Sequence, residues 1–139
     1  QNSTAMITVE AYLNDQYLTS YWADGLIIAT PTGSTGYSLS CGGPVIMPHS
    51  KTLALTPIAP HNLNARPLII PDSTEITLHV SNREGCYLAT YDARSAILPC
   101  ETSVKISLAP FHLKTIELEG NDFFKTLRNK LLWGEDKRN

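Results

Sequence analysis

Three things are scarce in this 139-residue chain, and each scarcity closes off a class of function. There is no surplus of positive charge: 11 Lys plus Arg stand against 13 Asp plus Glu, so no basic field exists for tracking nucleic acid. A phosphate-bearing small ligand would then need backbone donors or a separate local basic patch. Close cysteine pairs are missing as well. Cys41, Cys86 and Cys100 cannot all be consumed in intrachain disulfides, which favours a reducing, cytoplasmic compartment. With no Cys-x-x-Cys, and no His-x-x-x-His among His49, His79 and His112, a protein-only zinc site is not expected. Long hydrophobic runs are the third absence. Thr, Pro or a charge interrupts every apolar stretch well short of the ~20 residues of a membrane-spanning helix, and Gln1 opens no signal segment. The expectation is one soluble domain that engages neither nucleic acid nor membrane, a silence about targeting that an internal fragment of a longer protein would also produce.

What the chain does have is short periodic segments joined by turns. Ile7, Val9, Ala11 and Leu13 alternate with Met6, Thr8, Glu10 and Tyr12, as one face of a pleated strand should. Asn14-Asp15 reads as a turn into a second strand over Tyr17–Trp22. The alternation recurs at Ile76, Leu78 and Val80, and again at Val104, Ile106 and Leu108. Nine prolines punctuate the chain and suit neither helix interiors nor central strands. This pattern predicts an all-β, two-sheet, β-sandwich-like domain. One regular helix is expected from Asp122 to about Leu132, with Asn121 available as its cap and Gly134 as its stop. Phe123, Leu127 and Leu131 share a face that Phe124 widens, while Arg128 and Lys130 suit the C-terminal end of the helix dipole. Packing against its own sheet is the simplest role for this tail.

The chemistry concentrates between Asp24 and Gly43. Asp24-Gly25-Leu26-Ile27-Ile28-Ala29-Thr30-Pro31-Thr32-Gly33-Ser34-Thr35-Gly36-Tyr37 passes from an apolar strand into a dense hydroxyl and glycine turn. Such a turn brings backbone N–H groups and small hydroxyls close to a ligand. A short helical turn is expected from near Ser34 to Gly42-Gly43, its first N–H groups suited to negative charge. Equally, the serines and threonines of a tight strand-to-helix connection can simply cap the chain. Asp24 and Tyr37, bracketing the turn, tilt the reading toward binding: a carboxylate fixes a ribose hydroxyl or amino group, and an aromatic ring covers a ribose or base. The turn is not a Walker A loop, since Gly33 and Gly36 stand too close and no Gly-Lys-Ser/Thr follows. Nor is it a Gly-x-Ser-x-Gly elbow, so Ser34 is a poor hydrolase nucleophile.

Asp24-Gly25, Thr30-Pro31-Thr32-Gly33-Ser34-Thr35-Gly36-Tyr37 and Ser40-Cys41-Gly42-Gly43-Pro44 together resemble the signature of the ATP- or polyphosphate-dependent NAD kinases. Leu55-Thr56-Pro57-Ile58-Ala59-Pro60-His61-Asn62-Leu63 and Ala65-Arg66-Pro67-Leu68 supply a second match in order and spacing. The resemblance extends to the closing Phe123-Phe124, Leu127-Arg128-Asn129-Lys130 and Trp133-Gly134 elements. It implies that residues 1–139 are the C-terminal β domain, carrying a short helix after the Gly/Thr loop. The N-terminal α/β domain with its Gly-Gly-Asp-Gly motif is absent from this chain. Such enzymes transfer the terminal phosphoryl group of ATP to the adenosine-ribose 2′-hydroxyl of NAD, giving NADP. NAD is thus the implied ligand, with ATP and Mg2+ expected for the full-length enzyme and a homodimer or homotetramer as its assembly.

The resemblance further implies that Asp24 orients the dinucleotide and that Thr32, Thr35 and Tyr37 line its adenosine side. Gly36 stands where relatives often carry Ala, and Ala59 matches a small backbone-contact position near a ribose. No residue here matches a catalytic or metal-binding position, so the chain alone is expected to be inactive. His61 reads either as a loop or satisfied core histidine or as a ligand contact, and Arg66 either as a phosphate contact or as a brace of its loop against a carboxylate. Tyr91-Asp92-Ala93-Arg94 departs from the family's Asp-Gly-Gln, and a positive φ at Ala93 would be disfavoured. Two alternatives stay open: a noncatalytic nucleotide-sensing or assembly domain, and the C-terminal domain of a related lipid or sugar kinase.

Overall fold

The structure is a computed structural model that describes residues 6–110 and 122–131. Strands β1 (Ile7–Leu13) and β2 (Gln16–Ala23) form a hairpin. Its two turn residues, Asn14 and Asp15, have φ of 50° and 67°, a left-handed conformation that their short polar side chains tolerate and that matches the twist of the flanking strands. The chain then passes through Asp24 into β3 (Gly25–Ala29) and changes sheet. β3 pairs with β4 (Thr52–Ile58), and β4 with β5 (Leu68–Pro71), in a three-stranded antiparallel sheet. Strands β6 (Ile76–Ser81) and β9 (Val104–Ile106) return to the first sheet, giving the order β2-β1-β6-β9. Between them, β7 (Cys86–Tyr91) and β8 (Arg94–Pro99) make a separate hairpin.

The two larger sheets meet face to face, as the alternating sequence pattern requires. Val9, Ala11, Ile76, Leu78 and Val80 from the first sheet pack with Leu53, Leu55 and Ile70 from the second. Thus the two-sheet, mostly β reading holds, with the β7–β8 hairpin as an addition. β4 is buried from Leu53 through Pro57. Leu53 and Leu55 enter the intersheet core, while Ala54 and Thr56, on the opposite pleat, are covered by the segment that follows β3.

Three local expectations change. β9 stops at Ile106 because its ladder ends where β6 begins, at the Ile76–Ile106 pair, so Leu108 does not continue the strand and is exposed. The terminal helix α2 spans Phe123–Leu131, and its first turn is capped by Asp122, whose Oδ1 accepts from the Lys125 N–H at 2.7 Å. Asn121 and Gly134, the expected cap and stop, lie outside the described residues. Leu127 is buried, but Phe124 is exposed and turns its ring edge toward Phe123, so it does not widen the buried face.

Candidate functional site

Asp24 occupies the corner where the chain crosses between sheets. Its N–H donates to the Ile58 carbonyl at 2.9 Å, and Gly25 stands opposite Ile58 in the β3–β4 ladder. A Cβ on Gly25 would lie 2.9 Å from Ile58 Cδ1, a contact that a shift of the isoleucine tip would relieve. Ala59 follows Ile58 and turns the chain with φ of 47°. Asp24 and Ala59, distant in sequence, are thereby neighbours at one end of the β3–β4 pair.

The hydroxyl-rich turn leaves the other end of β3 and folds back across the sheet. It forms two short pieces where one was expected: a 3-10 turn over Thr32–Thr35 and a helix, α1, over Tyr37–Ser40. Gly36 separates them with φ -93° and ψ -133°, outside any helical conformation. A methyl there would meet only Gly33 O, at 3.4 Å, so the position has room for an alanine. Ser34 does not begin a ligand-facing helix. It is fully buried, donating through Oγ to Pro31 O at 2.7 Å and accepting from the Ile46 N–H at 2.9 Å. Ser38 is buried too, 3.3 Å from Thr56 Oγ1 on β4. At Gly43 a Cβ would collide with Ser38 Oγ and sit 2.7 Å from Thr56 Oγ1, so only glycine lets the segment close onto the sheet.

The turn's hydroxyls therefore divide. Ser38 fastens it to β4 and Ser34 ties it to Pro31 and Ile46, while Thr32 and Tyr37 are exposed and Thr35 is partly covered. Tyr37 is 64% exposed. A hydrogen bond and electrostatic interaction with the Cys41 side chain, then slight burial and the Asp24 carboxylate, raise its phenol above the ordinary value, which favours the neutral donor and acceptor form. Asp24 and Ala59 thus share one end of the β3–β4 pair, with Tyr37 within electrostatic influence of the Asp24 carboxylate. Lys130 of α2 adds a cation, its Nζ donating to Thr35 Oγ1 at 3.3 Å.

Asn62 carried no signal of its own in the sequence, yet it fixes the loop after Ala59. Its Oδ1 accepts from the Trp22 N–H at 2.7 Å, its Nδ2 donates to Ser20 O at 3.2 Å, and the neighbouring His61 N–H donates to Trp22 O at 2.7 Å. Bonds across forty residues leave no local pattern to read. Arg66 braces its own loop, but through backbone carbonyls and not the expected carboxylate, its Nη1 donating to Leu63 O and Ala65 O at 3.3 and 2.9 Å. The His61 side chain is exposed. In the β7–β8 turn the positive φ falls on Asp92, at 52°, and not on Ala93, which removes the expected strain.

Two grooves lie away from this corner. One of about 330 Å³ runs between β2 and the loop holding Asn62 and Arg66, and another of about 380 Å³ lies among Thr30, His49, Lys51 and Asp72. Among the described residues, no cluster of three or more His, Cys, Asp or Glu side chains is positioned for a metal, and no helix is long and apolar enough to cross a membrane.

Residues 1–118 match the family model described as the ATP-NAD kinase C-terminal domain. The chain is 63% identical over 139 residues to an NAD kinase of Flavobacterium johnsoniae and 46% identical over 139 residues to one of Cytophaga hutchinsonii. All of this chain is matched in both cases, against 47% and 48% of those relatives, so it spans about half their length. Among solved structures, yeast NADH kinase complexed with NADH superposes with a TM-score of 0.56 at 32% identity, covering 74% of this chain and 27% of that one. An NAD kinase from Archaeoglobus fulgidus in complex with ATP superposes with a TM-score of 0.56 at 26% identity, covering 77% of this chain and 39% of that one.

Proposed function

The chain belongs to the ATP-NAD kinase C-terminal domain family, and from that premise we propose that it supplies the NAD-holding face of an NAD kinase. The observation that carries the reading is the corner formed by Asp24 and Ala59 at one end of the β3–β4 pair, its backbone held by the Asp24 N–H to Ile58 O bond and its carboxylate felt by the Tyr37 phenol. In this reading the Asp24 carboxylate accepts from ribose hydroxyls, the Tyr37 ring covers a sugar or base, and Ala59 admits close approach to a backbone carbonyl. Thr32, Thr35 and Gly36 flank the adenosine.

The complete enzyme transfers a phosphoryl group from ATP, carried with Mg2+, to the 2′-hydroxyl of NAD. In-line transfer needs a bound donor, an oriented metal–phosphate complex and a group that activates the hydroxyl. The described residues of this chain hold no metal-binding cluster, so the proposal assigns those tasks to an N-terminal α/β domain of the same polypeptide. It also includes a cytoplasmic, homodimeric or homotetrameric enzyme, which light scattering and cell fractionation would check.

The test is Asp24→Asn. Asp24 is exposed and its structural bond comes from the backbone. NAD affinity is expected to fall by about tenfold, as for loss of a hydrogen bond to a charged group, with the thermal midpoint nearly unchanged. Unchanged affinity by calorimetry, or an unfolding that accounts for the whole loss, would defeat the reading. Purified residues 1–139 given NAD, ATP and Mg2+ should form no NADP, whereas the intact polypeptide should.

A further inference from the structure

The site described above has a charge problem. NAD and ATP bring phosphates, the chain carries a net charge of -2, and Asp24 places a carboxylate at the site itself. A phosphate near that carboxylate is repelled unless a cation lies close. The Thr32–Tyr37 segment contains no Lys or Arg, so any cation that this chain itself supplies there comes from outside the turn.

It comes from α2. Leu127 is 6% exposed, and the Asp122 cap fixes the first turn, so the helix is seated by packing as well as by its own bonds. Residues three apart share a helix face, which puts Lys130 beside the buried Leu127. From there its ammonium reaches Thr35 Oγ1 at 3.3 Å across 95 residues of sequence. One ammonium proton is used in that bond and two remain. Thr35 Oγ accepts from Lys130, and its own proton goes only to Thr32 O at a long 3.5 Å, so the hydroxyl is easily redirected to a better acceptor. An ammonium and a hydroxyl donor side by side on an exposed turn make a pair suited to a phosphate oxygen. α2 lies beyond residues 1–118, the part matched by the family model.

We propose that Lys130 is a nucleotide-phosphate ligand, acting with the Thr35 hydroxyl to bring to the Gly/Thr turn the positive charge that the turn lacks. The proposal rests on the nucleotide-binding reading above, and the phosphate belongs either to the pyrophosphate of NAD or to the donor ATP.

The experiment compares Lys130→Met and Lys130→Arg with wild type in the intact protein, titrating NAD and ATP separately at low and moderate salt and following thermal unfolding in parallel. Lys130→Met should weaken one nucleotide by about tenfold, as for a lost charged hydrogen bond. It should also flatten the salt dependence of that binding, because a screened charge has been removed, while Lys130→Arg keeps both the charge and most of the affinity. A loss confined to NAD identifies the pyrophosphate, and one confined to ATP identifies the donor. The proposal fails if Lys130→Met binds both nucleotides as wild type does, or if its loss leaves the salt dependence unchanged and arginine does not restore it. Wild-type protein that binds neither nucleotide would sink the functional reading and this inference together. Wild type that binds NAD, beside an unaltered Lys130→Met, sinks the inference alone.

Discussion

β4 and the β7–β8 hairpin are both rich in apolar residues, and their surroundings could hardly differ more. In β4, Leu55 is 0% exposed, with one pleat against the opposing sheet and the other under the Ser34–Gly43 segment. In the hairpin, Leu88 and Ile97 face each other across the ladder yet remain 64% and 73% exposed. Composition alone does not separate the two; what covers each strand does. The cover over β4 belongs to the candidate site, because Ser38, bonded to Thr56 on the strand, directly follows Tyr37 in α1. Stability and binding geometry are therefore coupled around β4 and uncoupled in the hairpin.

The harshest test of that contrast is Leu55→Ala. Truncating a fully buried core leucine should cost about 2–5 kcal/mol, read as a lower denaturant midpoint, and NAD binding should weaken with it. Gly43→Ala attacks the same coupling from the cover. The new methyl meets Thr56 Oγ1 at 2.7 Å and the Ser38 carbonyl at 2.8 Å, so overpacking of roughly 1–3 kcal/mol is expected. Because the displaced element carries Tyr37, NAD affinity should fall by more than the stability loss explains; a domain destabilised with full affinity would break the coupling.

A pH-dependent difference comes next. Burial raises the Tyr21 phenol above its ordinary value near 10, so the fold favours the protonated form. That contribution is complete below the ordinary phenol value and is lost as pH climbs through the raised one. Tyr21→Phe should flatten the alkaline limb of the stability curve, and a limb of unchanged steepness would assign it to other groups. The smallest effect belongs to the hairpin: Ile97→Thr should stay within about 0.5 kcal/mol of wild type in urea. A larger loss would mean that the exposed face is covered in solution.

These expectations also show what the sequence could disclose. β1, β6 and the start of β9 announce themselves by alternation because each has one wet face and one dry face. β4, buried on both faces, reads Thr-Leu-Ala-Leu-Thr-Pro-Ile and shows no such period. Asp24 and Tyr37 were legible as a pair, since a carboxylate and an aromatic bracketing a glycine turn carry chemistry in their identities. That Ser34 and Ser38 turn inward while Thr32 turns outward was not legible, because the same hydroxyl serves a cap or a ligand equally well. Asn62 and Lys130 were hidden for another reason: their partners lie 40 and 95 residues away, beyond any local pattern.

Asn62 has one more effect, on what the molecule refuses. β2 is the outer strand of its sheet, and an outer strand normally offers its free N–H and C=O groups to any extended chain that arrives. Along Ser20–Trp22 those groups are already taken, because the Asn62 amide holds Ser20 O and Trp22 N while the His61 N–H holds Trp22 O. One side chain and one backbone amide imitate a neighbouring strand without being one. A foreign strand could pair along Ser20–Trp22 only by first displacing Asn62, so the loop after Ala59 closes that stretch of the border to growth.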